Sequence, residues 1–173
     1  MKRYGLIGKQ LSHSFSPAFF KSHFEENGID AVYELIQVSN LDSIRMELRN
    51  FDGCNVTIPY KEQIIPFLDE LTPEAKTIGA VNTILNQNGK FIGHNTDAFG
   101  FHQSIKPFLT NLHERAIILG TGGASRAVSY VLGNIGVDII FVSRNPVQEN
   151  EFGYDEINEQ MIRSCKLIIN TTP

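Results

Sequence analysis

Ala116-Ile117-Ile118-Leu119-Gly120-Thr121-Gly122-Gly123-Ala124-Ser125-Arg126 is the stretch that decides how this chain folds. Four apolar residues form a buried-type strand, and glycines follow at once. The pattern after them predicts a helix to about Asn134. Glycines at such a turn let the backbone bend sharply and approach a pyrophosphate closely. The helix that follows offers unpaired N–H groups and the positive end of its dipole. Ser125 stands where the strict glycine pattern has its third glycine.

Reading toward the C-terminus, Val137 to Ser143 predicts a second strand. A helix is expected over Asp155 to Arg163, and a third strand over Leu167 to Asn170. The order is βαβαβ with short links, which implies parallel strands and right-handed crossovers. The second strand ends Phe141-Val142-Ser143-Arg144-Asn145. NAD-binding domains usually carry an acid there to hold the ribose hydroxyls. Here no acid repels a 2′-phosphate, and Arg144 offers a guanidinium that suits one. That favours NADP as cofactor. Arg126 is a second candidate contact, to a phosphate or to the adenine, with a solvated surface role as the alternative.

Toward the N-terminus, Tyr4 to Gly8 reads as a strand. Ser16-Pro17 opens a helix, with Ser16 as its cap and Pro17 at the first helical position; Gly28 stops it. Val32 to Val38 is a strand. Leu41, Ile44 and Leu48 form a helical stripe behind Asn40 as cap, and Cys54 to Ile58 is the next strand. A helix is expected from about Pro59 through Leu68. Val81–Leu85 and Lys90–Gly93 flank Asn88-Gly89, a strong hairpin signal. A last helix runs from about Asp97 to Leu109. The expected fold class is α/β: a mixed-sheet substrate domain over residues 1–100, then the first half of a Rossmann-type NADP-binding domain over 101–173. The boundary falls within about Asn95 to Glu114.

Composition excludes several functions. The chain has 173 residues, 42% hydrophobic and 20% charged, with 19 acids against 15 bases. A net charge of -4 gives no general attraction to nucleic acid or anionic membrane. The longest apolar runs, such as Ile139-Ile140-Phe141-Val142, are too short to span a bilayer. The first residues read as a strand and not a signal peptide. Cys54 and Cys165 read as buried free thiols of a reducing compartment, so a cytoplasmic location is expected. The five histidines show no ligand spacing, and no metal is expected.

The front half carries chemistry of its own. Ser14 and Ser16 lead into a helix N-terminus, where hydroxyls beside a positive dipole suit a carboxylate. A strand would deliver Asn55 and Thr57 to one face. Lys61 then falls in the first turn of the next helix, the unfavourable end for a cation. Asp97 is a candidate partner for it, and Asn82 adds a further amide.

Five motifs in this order resemble shikimate dehydrogenases: Ser14-Phe15-Ser16-Pro17, Asn55-Val56-Thr57-Ile58-Pro59-Tyr60-Lys61, Gly79-Ala80-Val81-Asn82-Thr83, Asn95-Thr96-Asp97 and Gly120-Thr121-Gly122-Gly123-Ala124-Ser125-Arg126. The resemblance runs the length of the chain. It implies reduction of 3-dehydroshikimate to shikimate with NADPH, on the route to aromatic amino acids. It implies that Ser14 and Ser16 bind the substrate carboxylate and that Asn55, Thr57, Asn82 and Asp97 hold the ring hydroxyls. Lys61 and Asp97 would form the catalytic pair. Gly120, Gly122, Gly123, Ala124, Ser125, Arg126, Ser143, Arg144 and Asn145 would line the NADP site. Ser143-Arg144-Asn145 shares only its arginine with the family's Asn-Arg-Thr motif, and Ala98 stands where the family usually has glycine. A small-molecule substrate, no nucleic acid, no membrane, and a monomer or homodimer are expected. The family also has a second mononucleotide half and a late helix that bears a substrate-binding glutamine. Without that half, a chain ending at Pro173 is expected to be inactive. A paralogue acting on quinate or using NAD, or a folded but inert module, are the other readings.

Overall fold

The computed structural model describes residues 1–172. The chain divides into two compact units, Met1–Asn95 and Thr96–Pro173.

The first unit is built on a six-stranded mixed sheet. Its strands are β1 (Lys2–Gly8), β2 (Ala31–Gln37), β3 (Gly53–Val56), β4 (Glu70–Leu71), β5 (Thr83–Gln87) and β6 (Lys90–His94), in the order β2-β1-β3-β5-β6-β4. β1 is parallel to both β2 and β3, whereas β5 runs antiparallel to β3 and β6. The helices are α1 (Ser16–Glu26), α2 (Ile44–Leu48), α3 (Tyr60–Gln63) and α4 (Pro73–Ile78). The core gathers Ile7, Ile44, Leu48, Ile64, Ile84 and Phe91, each at most 2% exposed. Burying one such side chain contributes about 1.5–3 kcal/mol.

Several local expectations shift for identifiable reasons. The hairpin turns at Asn88-Gly89, with φ of 54° and 87°. Those are the left-handed values that a two-residue turn of this kind requires. Ser16 is the first helical residue of α1, and Phe15 flanks it without a capping bond, so Ser16 is not the cap. Asn40 likewise does not cap α2: its Oδ1 accepts from the Asp42 N–H at 3.1 Å, which closes a turn before the helix. The helix expected from Pro59 to Leu68 breaks into α3 and a 3₁₀ turn over Ile65–Phe67, because Pro66 cannot donate to the helical ladder. β3 stops at Val56, so Thr57 lies one residue beyond the strand, although its N–H still donates to Ile7 O at 2.9 Å.

The second unit holds α5 (Asp97–Ile105), β7 (Arg115–Leu119), α6 (Gly123–Asn134), β8 (Asp138–Val142), β9 (Glu151–Phe152), α7 (Glu159–Ser164) and β10 (Leu167–Asn170). Its four strands are all parallel, ordered β10-β7-β8-β9. This is the 3-2-1-4 order of a doubly wound nucleotide-binding sheet. The short strand β9 adds to the three expected strands. It takes third place in the unit, and Leu167–Asn170 becomes the fourth strand, on the other flank of β7. A two-residue strand is too brief to leave an alternating pattern. The chain reverses direction across the sheet between β7 and β10, which is where such folds bind dinucleotides.

Candidate active site

In the first unit, the expected substrate residues cluster at the carboxyl ends of β1 and β3 and in the loops that follow. Open α/β sheets bind ligands at these ends. Ser14 sits in the loop after β1, where its N–H donates to Leu11 O at 3.0 Å and closes a turn. Ser14, Ser16, Asn55, Thr57 and Lys61 are all half-buried, and Asn82 is 9% exposed.

Asn55 is held on both sides of its amide. Its Oδ1 accepts from the Tyr33 hydroxyl at 2.8 Å. Its Nδ2 reaches Thr83 Oγ1 at 3.3 Å and Asn82 O at 3.4 Å. The Thr83 hydroxyl donates onward to Asn82 Oδ1 at 3.1 Å. Asn55 in β3 and Asn82 just before β5 therefore belong to one polar network. Tyr33 extends that network. Its ring stacks on Phe20 of α1 at 4.3 Å, nearly parallel. Burial pushes the phenol up to about 12; a side-chain hydrogen bond with Ser16 acts against the rise, and Cys54 adds to it. So Ser16, Tyr33, Asn55 and Asn82 are joined, and Tyr33 is the member that the sequence reading did not name. A tyrosine in a strand looks like ordinary strand composition.

Lys61 is the second residue of α3, which spans only Tyr60–Gln63. A single turn has no developed dipole, so the argument from a cation at the wrong helix end does not hold. What places Lys61 is its backbone: its carbonyl accepts from Val81 N–H at 2.7 Å. The segment that bears Asn82 is thereby tied to the turn that bears the lysine. Asp97 opens α5 of the second unit. Asn95, 4% exposed, donates from Nδ2 to Ala80 O at 2.9 Å.

In the second unit, the glycine turn has the form the sequence suggests. Gly120 has φ +104°, and its N–H donates to Val142 O at 2.8 Å. A Cβ there would stand 2.8 Å from Thr171 Oγ1, so a side chain is excluded on two grounds. Gly122 precedes α6, and no side chain caps that helix. A Cβ on Gly122 would meet nothing within 4 Å. Open space thus stands before a twelve-residue helix whose N-cap, Gly122, has no side chain to satisfy its first N–H groups. Ser125 is 1% exposed and donates to Gly122 O at 2.7 Å, so the residue in place of the third glycine locks the turn. Arg126, Arg144 and Asn145 are exposed, and Ser143 is buried at the end of β8. The Ser143 Oγ is a buried polar atom without a hydrogen-bond partner. Open glycine turn, uncapped helix and orphaned hydroxyl together fit the adenosine and pyrophosphate part of a dinucleotide.

Comparison with known proteins gives the family. The model of the shikimate dehydrogenase substrate binding domain matches residues 6–84. An NADP-dependent shikimate dehydrogenase of Clostridium perfringens is 38% identical over 188 residues, covering 100% of this chain and 69% of the relative. The chain belongs to the shikimate dehydrogenase family. The enzyme of the same name from Syntrophomonas wolfei is 45% identical over 190 residues, across 98% of this chain and 66% of that protein. The crystal structure of shikimate dehydrogenase 1 from Peptoclostridium difficile superposes with a TM-score of 0.88 at 36% identity, over 100% of this chain and 67% of that one. A Thermus thermophilus shikimate dehydrogenase in complex with NADP(H) and shikimate gives 0.84 at 34% identity, over 99% and 69%. The chain thus spans about two-thirds of the length of these shikimate dehydrogenases. No helix among the described residues is long and apolar enough to cross a membrane.

Proposed function

We propose that this chain carries the substrate site and the adenosine side of the cofactor site of an NADP-dependent shikimate dehydrogenase, which interconverts 3-dehydroshikimate and shikimate in the cytoplasm. The observation that supports this best is the network joining Ser16, Tyr33, Asn55 and Asn82 inside the region that matches the substrate-binding family. In this reading residues 1–100 bind substrate and residues 101–173 begin the dinucleotide domain. Ser14 and Ser16 donate to the carboxylate, and Asn55, Thr57, Asn82 and Asp97 take the ring hydroxyls. Gly120, Gly122, Gly123, Ala124, Ser125 and Arg126 receive the pyrophosphate. Ser143, Arg144 and Asn145 receive the adenosine, with Arg144 on its 2′-phosphate. The protein acts as a monomer or homodimer.

NADPH, when bound, supplies the hydride that converts the ketone carbon to an alcohol. The ketone oxygen gains negative charge as this happens. Lys61, as an ammonium, donates a hydrogen bond and then its proton to that oxygen, and it takes the proton back in the reverse direction. Asp97 is assigned as the catalytic partner of this lysine.

The test is Lys61→Ala in a protein that also carries the nicotinamide half. Turnover of shikimate with NADP should fall by about 10²–10⁴. The KM for shikimate should move much less, because Ser14 and Ser16 still hold the carboxylate. Near-normal turnover would refute the role of the lysine.

A further inference from the structure

Parallel neighbours in a sheet are ordinarily joined by a crossover of at least ~10–12 residues, usually through a helix. β8 and β9 depart from this. They pair in parallel, Phe141 beside Glu151 and Val142 beside Phe152, yet residues 143–150 join them with no helix. Arg144 lies on this short connection. Four bonds close it. Phe141 N–H donates to Asn150 O at 2.9 Å, and Ser143 N–H to Phe152 O at 3.0 Å. Glu151 N–H donates to Gln148 O at 3.0 Å. The fourth bond involves a side chain: Glu151 Oε2 accepts from Val147 N–H at 2.8 Å. Glu151 is half-buried, whereas residues 144–150 are all exposed. With so little packing on the loop, its shape depends on these bonds.

We propose that Glu151 is a positioning residue for cofactor choice: its carboxylate fixes the loop that presents Arg144 to a 2′-phosphate. An acid beside the end of this strand would, in an NAD-binding protein, accept from the ribose hydroxyls. Here it is turned instead onto the loop's own backbone, in a charge-assisted bond. Glu151, which pairs with Phe141 of β8, thus shapes the loop. The inference rests on Arg144 as the 2′-phosphate contact.

The test is calorimetric titration of the chain with adenosine 2′,5′-bisphosphate, which carries the 2′-phosphate, and with adenosine 5′-monophosphate, which does not. Glu151→Ala should weaken the bisphosphate about tenfold or more while binding of the monophosphate stays unchanged, the scale of losing one bond to a charged group. Glu151→Gln keeps an acceptor for Val147 N–H and should bind the bisphosphate at least as well as about half the wild-type affinity. Unaltered bisphosphate binding by Glu151→Ala would overturn the proposal, as would equal weakening by the alanine and glutamine variants. If Arg144→Ala binds the bisphosphate as wild type does, the underlying cofactor reading fails and the role of Glu151 falls with it.

Discussion

Tyr33 shows how much one side chain can connect. Its hydroxyl ties Asn55 on β3 to Ser16 on α1, and its ring stacks on Phe20. Tyr33→Phe keeps the stack and removes the bond to Asn55 Oδ1. Urea unfolding should show a loss of about 0.5–1.5 kcal/mol, the worth of one neutral hydrogen bond; wild-type stability would mean that the bond contributes nothing. The structure moves Ser16 from the expected cap position into the first turn of α1. The sequence Ser-Pro marks a helix start, yet only the fold brings a phenol to the hydroxyl. Asp69 gives a pH prediction at this scale. The Phe91 N–H donates to one carboxylate oxygen at 2.8 Å, and Arg45 to the other at 2.9 Å. The backbone bond first, then the guanidinium, hold its carboxyl below the usual range. A lowered folded value means that the ionised form stabilises the fold above the unfolded value near ~4, and that this is lost as pH falls through the folded value. Asp69→Asn should therefore be less stable than wild type by a constant margin at neutral pH, and the margin should shrink on acidification below about pH 4. A margin that widens there would contradict the assignment.

Among elements, glycine turns and hairpins were legible because their chemistry is local. Asn88-Gly89 and Gly120 each require backbone angles that their residue types supply. Two alanine substitutions separate this requirement from mere flexibility. Gly133 lies near the end of α6, and a Cβ there would meet nothing within 4 Å. Gly133→Ala should raise stability by about 0.4–1 kcal/mol, because the unfolded chain loses freedom. Gly120→Ala faces both positive φ and Thr171, and should lower it by about 1–3 kcal/mol. Paired denaturation curves decide both, and a destabilised Gly133→Ala or an unaffected Gly120→Ala would refute the reading. Helix lengths were less legible, since apolar spacing continues through prolines that end the ladder: Pro66 and Pro107 each turn an expected long helix into a short one followed by a 3₁₀ turn. β9 could not be read at all, because Glu151-Phe152 pairs with β8 through backbone groups that no side-chain pattern reports.

At the level of the whole molecule, the two units have different claims on function. The first contains an entire mixed sheet and the linked residues Ser16, Tyr33, Asn55 and Asn82. The second contains strands in 3-2-1-4 order, the first half of a dinucleotide fold and one strand of the next. Shikimate binding is therefore assigned to the first unit. The most direct measurement is calorimetric titration of the chain with shikimate, repeated for Ser16→Ala and Arg144→Ala. The expected result is saturable binding that weakens at least about tenfold in Ser16→Ala, the loss of one charge-assisted bond to the carboxylate, and that is unchanged in Arg144→Ala. No binding of shikimate, or undiminished binding in Ser16→Ala, would contradict the assignment of this site.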